Sequence, residues 1–401
     1  MKKLKVLLFI ILIALIAVLG SVVYFLFFNN SISTGNDETQ QTETETEAPI
    51  EITLVSVGDD LIHQPLLSEA QTGSGYNFDH FFAQVSEYVS SADVAVINQE
   101  TMLAGSDIGY SGYPMFNSPD EVGEAIINAG FDVVLHASNH AADKGTAGIS
   151  HAISYWKTKT DQITMLGLNE NQDERDAIRV VDVEGIKIAM LNYTYSLNGL
   201  TLPSGSEYMV NIMDDNTKAQ VLEDIQTASG MADFVIVFPH WGVEYTNSPN
   251  ENQKTWAVEM TDAGADLIIG THPHVVQPVE WIQTPSGNWS LCYYSLGNFI
   301  SNQAWLQDYG SETAFNTQLG GMASVTLVKE NGVVTIKQDA TGVIPIVTHN
   351  SSASMTTTYF LRDYNDTLAA SHICRNRFGS AFNMQWLNDK SESVFGSFII
   401  Q

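Results

Sequence analysis

The segment ITLVSVGDDLIH, residues 52–63, joins an apolar run directly to a polar loop. The short run Ile52–Val57 is typical of a buried strand. It is followed by Gly58–His63, which contains two aspartates and a histidine. Because ligands bind at the carboxyl ends of strands in sheets whose strands alternate with helices, this segment predicts a strand that carries functional side chains at its end.

The same alternation of apolar runs, polar loops and helical patterns continues along the chain. Further strands are predicted at Val94–Ile97, Val133–Leu135, Thr164–Leu166, Ile186–Leu191, Phe234–Phe238 and Leu267–Ile269. Helices are predicted at Glu121–Ala129, Thr146–Thr158, Thr217–Ala228 and Gln253–Ala263. After them, β runs follow at Leu291–Ser295, Ala323–Val328, Val333–Gln338 and Thr341–Val347. Strands that alternate with helices indicate an α/β fold.

The first 28 residues are predicted to form a membrane anchor. Lys2, Lys3 and Lys5 precede an unbroken apolar run, Val6–Phe28, which at about 1.5 Å per residue can cross a hydrocarbon core of about 30 Å. The run ends in bulky residues and lacks the small residues of a cleavage site. The positive-inside rule places the N-terminus in the cytoplasm. Residues 1–28 are therefore predicted to be a cytoplasmic tip and single-pass signal anchor in the cell membrane, with the bulk of the protein extracellular.

Composition divides the rest of the chain into a linker and a folded part. Residues 29–49 lack large apolar side chains beyond Ile32 and carry acidic residues, which predicts a disordered acidic linker over residues 29–50. Residues 51–348 are predicted to form the main domain. Residues 349–401 are predicted to form a C-terminal extension packed on it.

The charge of the chain limits the classes of partner. The formal net charge is -29, without a compact basic patch, which argues against nucleic-acid binding. Such a surface also repels an anionic substrate unless bound cations reverse the local field. The two cysteines, Cys292 and Cys374, leave two alternatives open: a disulfide in an exported domain, or two buried free thiols.

Polar clusters follow six of the predicted strands. The histidines in these loops include His63, His140, His240, His272 and His274. Any one cluster alone is a weak signal, because aspartate after a strand is commonly a helix cap or a turn residue. Six together indicate a site, because the carboxyl ends of the strands of an α/β sheet converge on one crevice.

The residue types in these loops favour a metal site. Imidazole and carboxylate groups are ligands of divalent transition metals. Residues i and i+2 of an extended backbone point to the same side, so His272 and His274 are predicted to serve one site, with Pro273 stiffening their spacing. A pair of metal ions binds phosphoryl oxygens and activates water, and it would let an acidic protein handle an anionic ester.

With these motifs in place, the chain resembles the CapA family of poly-γ-glutamate capsule biosynthesis proteins, which are related to calcineurin-like metallophosphatases. The resemblance covers residues 52 to 303. The motifs that carry it, in chain order, are Gly58-Asp59, Asn98-x-Glu100, Asn139-His140 with Asp143 and Gly145, His240-Trp241-Gly242 with Glu244, Gly270-x-His272-Pro273-His274, and Gly297-Asn298-Phe299.

The resemblance implies a four-layer α/β/β/α metallophosphatase-like sandwich, here preceded by one transmembrane helix. It also implies two divalent metal ions of the Mn, Fe or Zn type. Asp59 and His274 would bind the first ion and Glu100 would bridge the two. Asn139, His240 and His272 would bind the second ion. His63 is a further candidate ligand.

The resemblance also assigns roles around the metal ions. His140 would contact the phosphoryl group or protonate the leaving oxygen, with Asp143 either orienting His140 or capping the helix that follows. Asn98, Glu244 and Asn298 would lie behind the ligands or at the substrate rim.

Three functions remain open from the sequence. The first is a membrane-anchored extracellular capsule biosynthesis protein whose metal site hydrolyses phosphoesters. The second is a non-catalytic component of a polymer synthesis or export complex. The third is an α/β domain with polar strand ends and no metal. Expected partners are the membrane, other capsule-synthesis membrane proteins, and an anionic polymer or phosphoester substrate, with no nucleic acid.

Overall fold

The structure is a computed structural model that describes residues 48–305, 310–351 and 355–400. The predicted anchor, residues 1–28, lies outside the described residues, as do residues 29–47 of the predicted linker. A search of the described helices finds none that is both long and apolar enough to span a bilayer. The first strand begins at Ile50, the last residue of the predicted linker.

The described residues form strands and helices in alternation over the first two thirds of the domain. The strands are β1 (Ile50–Asp60), β2 (Val94–Gln99), β3 (Val133–Leu135), β4 (Thr164–Leu166), β5 (Arg179–Val183), β6 (Ile186–Thr194), β7 (Phe234–His240), β8 (Leu267–Ile269), β9 (Val279–Gln283), β10 (Trp289–Tyr293), β11 (Asn298–Ile300), β12 (Leu319–Glu330), β13 (Val333–Ile336), β14 (Gly342–His349) and β15 (Thr357–Phe360). The helices are α1 (Gln64–Ala70), α2 (Asp79–Phe82), α3 (Ser86–Val89), α4 (Glu121–Asn128), α5 (Gly145–Lys157), α6 (Gln172–Asp176), α7 (Lys218–Met231), α8 (Glu251–Ala263), α9 (Gly310–Asn316), α10 (Asp366–Ser371), α11 (Ile373–Phe378) and α12 (Met384–Phe395).

These strands form two mixed sheets. The first has the order β15-β14-β12-β1-β2-β3-β4, with β11 pairing with β1 and β13 with β12. The second has the order β5-β6-β7-β8-β10-β9. In both sheets the central strands run parallel, β1 to β2 to β3 to β4 in the first and β6 to β7 to β8 to β10 in the second. The carboxyl ends of the parallel strands within each sheet therefore lie at one edge of that sheet.

Alternate residues of each strand face different hydrophobic clusters, as the pleat requires. Leu54 and Val96 of the first sheet share one cluster with Ile236 and Leu291 of the second, so the two sheets pack face to face. On the outer face of the first sheet, strand residues such as Val55 pack against helices α1 to α5. A third cluster joins the outer face of the second sheet to α7 and α8. The predicted mixed α/β class is confirmed.

Local sequence signals explain the boundaries of α8, which follows β7. Asn250 caps its N-terminus in a capping box with Gln253, which satisfies two backbone donors that would otherwise lack partners. Gly264 ends the helix in the left-handed conformation that glycine adopts without strain.

The elements that the sequence did not predict are mostly short or half-exposed. Edge strands β5 and β9 were missed, and so were β11, β15 and the short helices α1 to α3. Residues 349–401 supply β15 and helices α10 to α12, and Leu387 and Phe395 of α12 join the cluster between the sheets. The boundary between domain and extension at residue 348 stays a prediction.

The two cysteines are free thiols, so the disulfide alternative is wrong for this structure. Cys292 is buried in β10, and Cys374 is buried in α11. Burial raises the pKa of both thiols above the ordinary value, which makes them unreactive.

The substitution Gly58→Ala is expected to destabilise the fold at the end of β1. A Cβ at residue 58 would collide with the backbone carbonyl of Gly297, which cannot move without displacing β11. We expect a loss of about 1–3 kcal/mol or more in the free energy of unfolding, measured by urea denaturation. Gly73→Ala is the control, because a Cβ there meets no atom within 4 Å. Equal stability of the two variants would contradict this account.

Candidate metal centre

The strand ends bring the predicted side chains together around Asp59, the penultimate residue of β1. The Asp59 carboxylate is fully buried and accepts hydrogen bonds from Asn98 Nδ2 at 2.9 Å and from the backbone N–H of His272 at 3.2 Å. Its Oδ2 also lies 2.9 Å from Nδ1 of His274. Asp59 therefore links the ends of β1 and β2 to the loop after β8.

Glu100 lies at the centre of the cluster. Its Oε1 is 3.8 Å from Nε2 of His240 and 3.8 Å from Nε2 of His274. These distances are too long for hydrogen bonds, and both carboxylate oxygens are buried without a hydrogen-bond partner among the residues that the structure describes. Burial, followed by the charge of Asp59, raises the pKa of Glu100 well above its usual range.

His240, at the end of β7, is held from both ring nitrogens. Its Nδ1 is 2.9 Å from Oγ1 of Thr271, and its Nε2 is 3.0 Å from Oδ1 of Asn139. Burial, and then the nearby His272 ring, lower the pKa of His240 well below its ordinary value. The ring is therefore neutral, the form in which imidazole binds metals.

The backbone around His272 and His274 differs from the prediction. An extended backbone was expected, but both residues have positive φ angles, 96° and 59°. Such angles are uncommon for residues other than glycine and occur preferentially at functional sites. The two rings nevertheless lie 5.8 Å apart, and the His272 ring also lies 4.9 Å from that of His240. Tight turning of the loop, and not the pleat of a strand, brings them together.

His140 and Asp143 form a separate pair. His140 Nδ1 donates to Oδ2 of Asp143 at 2.8 Å, and the same oxygen accepts the backbone N–H of Phe116 at 2.7 Å. The Phe116 ring packs edge-on against His140, with centroids 4.7 Å apart. Of the two roles considered for Asp143, this geometry matches orientation of His140.

Three overlapping groups of side chains have ligand atoms within 4.8 Å of one another. They are Glu100, His240 and His272; Asp59, Glu100 and His274; and Glu244, His272 and His274. Buried atoms without partners, the two Glu100 oxygens and Nδ1 of His272, accompany them. Unpartnered buried polar atoms in natural proteins call for an explanation such as an ion, and this donor set fits divalent transition metals.

The remaining predicted residues lie at the edges of the cluster. His63 is outside the three groups; its Nδ1 lies 3.0 Å from the carbonyl oxygen of Leu61, and burial and the His274 charge lower its pKa to about 4. Asn298 is buried, and its Nδ2 lies within hydrogen-bonding distance of Ser301, Gln303 and the carbonyl of Thr317, which ties neighbouring loops together. Glu244 is exposed at the mouth of the cluster.

Sequence reasoning missed two residues that the structure places here. Thr271, between the glycine and the first histidine of the 270–274 motif, orients His240, and its position two residues after the end of β8 was the available signal. Asp60 is fully buried, and its carboxylate has no hydrogen-bond partner among the described residues. Burial raises its pKa well above the usual range.

Residues 53–303 match the family described as "Bacterial capsule synthesis protein PGA_cap". The matched range begins in β1 and ends just after β11, so it includes every strand end that contributes to the cluster.

Two curated relatives are similar over part of their length. A "Capsule biosynthesis protein CapA" from Bacillus anthracis is 29% identical over 273 residues, covering 65% of this chain and 64% of that protein. A "PGA biosynthesis protein CapA" from Bacillus subtilis (strain 168) is 34% identical over 184 residues, covering 44% of each. The chain thus matches less than two thirds of the length of either relative.

Solved structures with a similar arrangement are more distant. A putative 5'-nucleotidase from Staphylococcus aureus aligns with a TM-score of 0.44 at 14% identity, covering 76% of this chain and 56% of that one. The calcineurin-like phosphoesterase YfkN from Bacillus subtilis aligns with a TM-score of 0.37 at 11% identity, covering 74% of this chain and 91% of that one.

Proposed function

The chain belongs to the bacterial capsule synthesis protein PGA_cap family, and on that premise we propose that it is a capsule biosynthesis protein with a two-cation site for phosphoester-type hydrolysis. The proposal includes the four-layer metallophosphatase-like architecture. It also includes anchoring by residues 1–28 in the cell membrane, with the folded part extracellular beside other capsule-synthesis membrane proteins. The substrate would be an anionic polymer precursor or another phosphoester.

One observation carries the hydrolytic proposal: the position of Glu100. A buried carboxylate that lies 3.8 Å from two different histidines, with no hydrogen bond of its own, is suited to bridge two cations. An isolated buried charge without a counter-ion costs several kcal/mol. The residues that would hold one cation are Asp59, Glu100 and His274, and those that would hold the other are Glu100, Asn139, His240 and His272.

The bound cations would supply Lewis-acid stabilisation of phosphoryl oxygens and a water of lowered pKa. The chain itself supplies proton transfer. Asp143 fixes the His140 ring through Nδ1, which leaves Nε2 as the nitrogen that can give a proton to a leaving oxygen. The Phe116 ring covers one side of His140 and limits its access to water.

Elemental analysis of the full chain, purified in detergent without chelators, tests the metal site. We expect about two equivalents of a divalent transition metal, lost in the double variant Glu100→Ala, His272→Ala. Absence of metal after reconstitution would contradict the proposal. Retention of metal without turnover of any phosphoester would instead support a non-catalytic role in a polymer synthesis complex.

Thr271→Val is expected to weaken metal binding without unfolding the protein. Valine has nearly the shape of threonine but cannot hydrogen-bond Nδ1 of His240, so the ring loses its orientation. Loss of such a partner of a metal-bound histidine costs about 10- to 100-fold in affinity, which competition with a fluorescent chelator measures. Thr255→Val, on the exposed face of α8, is the control. Unchanged affinity in Thr271→Val would show that His240 is not a ligand.

A further inference from the structure

The loop after β7, residues 241–245, is fixed against the histidine loop by backbone hydrogen bonds. The N–H of Trp241 donates to the carbonyl of Thr271 at 3.1 Å, and the N–H of Tyr245 donates to the carbonyl of Pro273 at 2.8 Å. The Tyr245 ring also lies 5.9 Å from that of His274. Glu244 is therefore held beside the two histidines by contacts on both sides of it.

The turn of this loop is built into its sequence. Gly242 has a φ of 99°, and a Cβ at this position would lie 2.8 Å from the side chain of Gln253. Tyr245 has a φ of 62°. Gly242 takes its angle without strain because glycine has no Cβ, whereas the left-handed conformation of Tyr245 persists only where the surroundings enforce it.

Glu244 also has ligand geometry. One of its carboxylate oxygens lies within 4.8 Å of a ring nitrogen of His272 and of His274. His274 has its Nδ1 hydrogen-bonded to Asp59, so one nitrogen remains for a cation, and that nitrogen faces Glu100. Glu244 thus lies beside His274, a proposed ligand of the first cation, and beside His272, a proposed ligand of the second, so it can reach the cation that His274 would hold.

We propose that Glu244 is an exchangeable ligand of this cation and competes with the anionic substrate group for it. This inference rests on the proposed metal centre. The two carboxylates differ in burial: Glu100 is fully buried, whereas Glu244 is exposed and can move into water. Removing a buried carboxylate from its cation leaves an uncompensated buried charge, whereas releasing an exposed one does not.

The exchange defines the chemistry of the incoming group. The incoming group carries an anionic oxygen, as a phosphoryl group does. That oxygen takes the place of one Glu244 carboxylate oxygen on the cation. A resting site closed by Glu244 holds its cation more tightly, and the cost is weaker binding of the anion that must displace the carboxylate.

The test compares the full chain in detergent with its Glu244→Gln variant. Manganese binding is measured by titration, and inorganic phosphate binding is then measured on the manganese-saturated proteins. We expect Glu244→Gln to bind manganese about 10-fold more weakly and phosphate more tightly than the wild type. Glu223→Gln, an exposed carboxylate on α7, is the matched control and should alter neither affinity.

The outcomes separate this inference from the function on which it rests. If the wild type binds manganese and Glu244→Gln matches it, Glu244 is not a ligand and the metal centre stands. If manganese binding weakens while phosphate binding does not tighten, Glu244 is a permanent ligand and the exchange is wrong. If the wild type binds no manganese, the metal centre and this inference both fail.

Discussion

The Glu100→Gln variant will melt at a higher temperature than the wild type in chelator, and it will gain little stability when divalent metal is added. In the metal-free protein, the wild-type carboxylate is buried with both oxygens unpartnered. Glutamine has nearly the same shape and cannot ionise, so the cost of burying an ionisable carboxylate, whether charged or held protonated, disappears. Because this cost is several kcal/mol, we expect a rise of several degrees in chelator by scanning calorimetry.

The same variant removes the proposed bridge, so the stabilisation by metal should fall sharply. A ligand that binds only the folded state stabilises it by about 2.7 kcal/mol at 100 times its Kd. The wild type should show such an increase, and Glu100→Gln should show much less. The assignment of Glu100 as a bridging ligand would be contradicted by either of two results. One is that Glu100→Gln is less stable than the wild type in chelator, and the other is that metal stabilises it as much as the wild type.

The pH dependence of the chelated protein gives an independent check. The pKa of Glu100 is raised in the folded state, first by burial and then by Asp59. Above the ordinary carboxylate pKa, the folded state therefore keeps a proton that the unfolded state has lost, and stability falls as the pH rises. In Glu100→Gln this contribution should be absent. Asp224→Asn is the contrast, because Asp224 is buried but paired with Arg175 and Tyr193, and its loss should destabilise the protein with or without metal.

The His140→Asn variant is expected to lose activity while keeping its metal. His140 lies outside the three ligand groups but has its Nδ1 held by Asp143. Loss of a positioned general acid lowers kcat by about 10²- to 10⁴-fold. The measurement is hydrolysis of an aryl phosphodiester by the metal-loaded full chain, beside elemental analysis of the same sample.

Asp143→Asn should have a smaller effect than His140→Asn. Asparagine can still accept a hydrogen bond from Nδ1 of His140 but carries no charge, so the ring is held less firmly and kcat falls while the metal content stays unchanged. His151→Asn, a surface histidine paired with Asp120, is the control. Full activity in His140→Asn would show that His140 takes no part in the reaction. Inactivity of the metal-loaded wild type would favour the non-catalytic role.

Much of the fold was predictable because its signals are local. The buried central strands, such as β1, β2 and β7, are built on mainly apolar runs, and their predicted positions agree with the structure. Edge strands β5 and β9 were missed because each mixes exposed residues with half-buried or buried ones and lacks such a run. The family resemblance drawn from the ordered motifs is confirmed by the match over residues 53–303.

The candidate site was likewise predictable from the sequence only in part. The sequence by itself determined which residue types follow each strand, and parallel strands in each sheet bring those residues to one edge. Only the tertiary structure decided how they meet. It set the left-handed turns at His272 and His274, the equal distances from Glu100 to two histidines, and the place of Glu244 beside them. Those features depend on contacts between residues far apart in the chain, such as Glu100 with His240 and His274, which no local pattern of the sequence records.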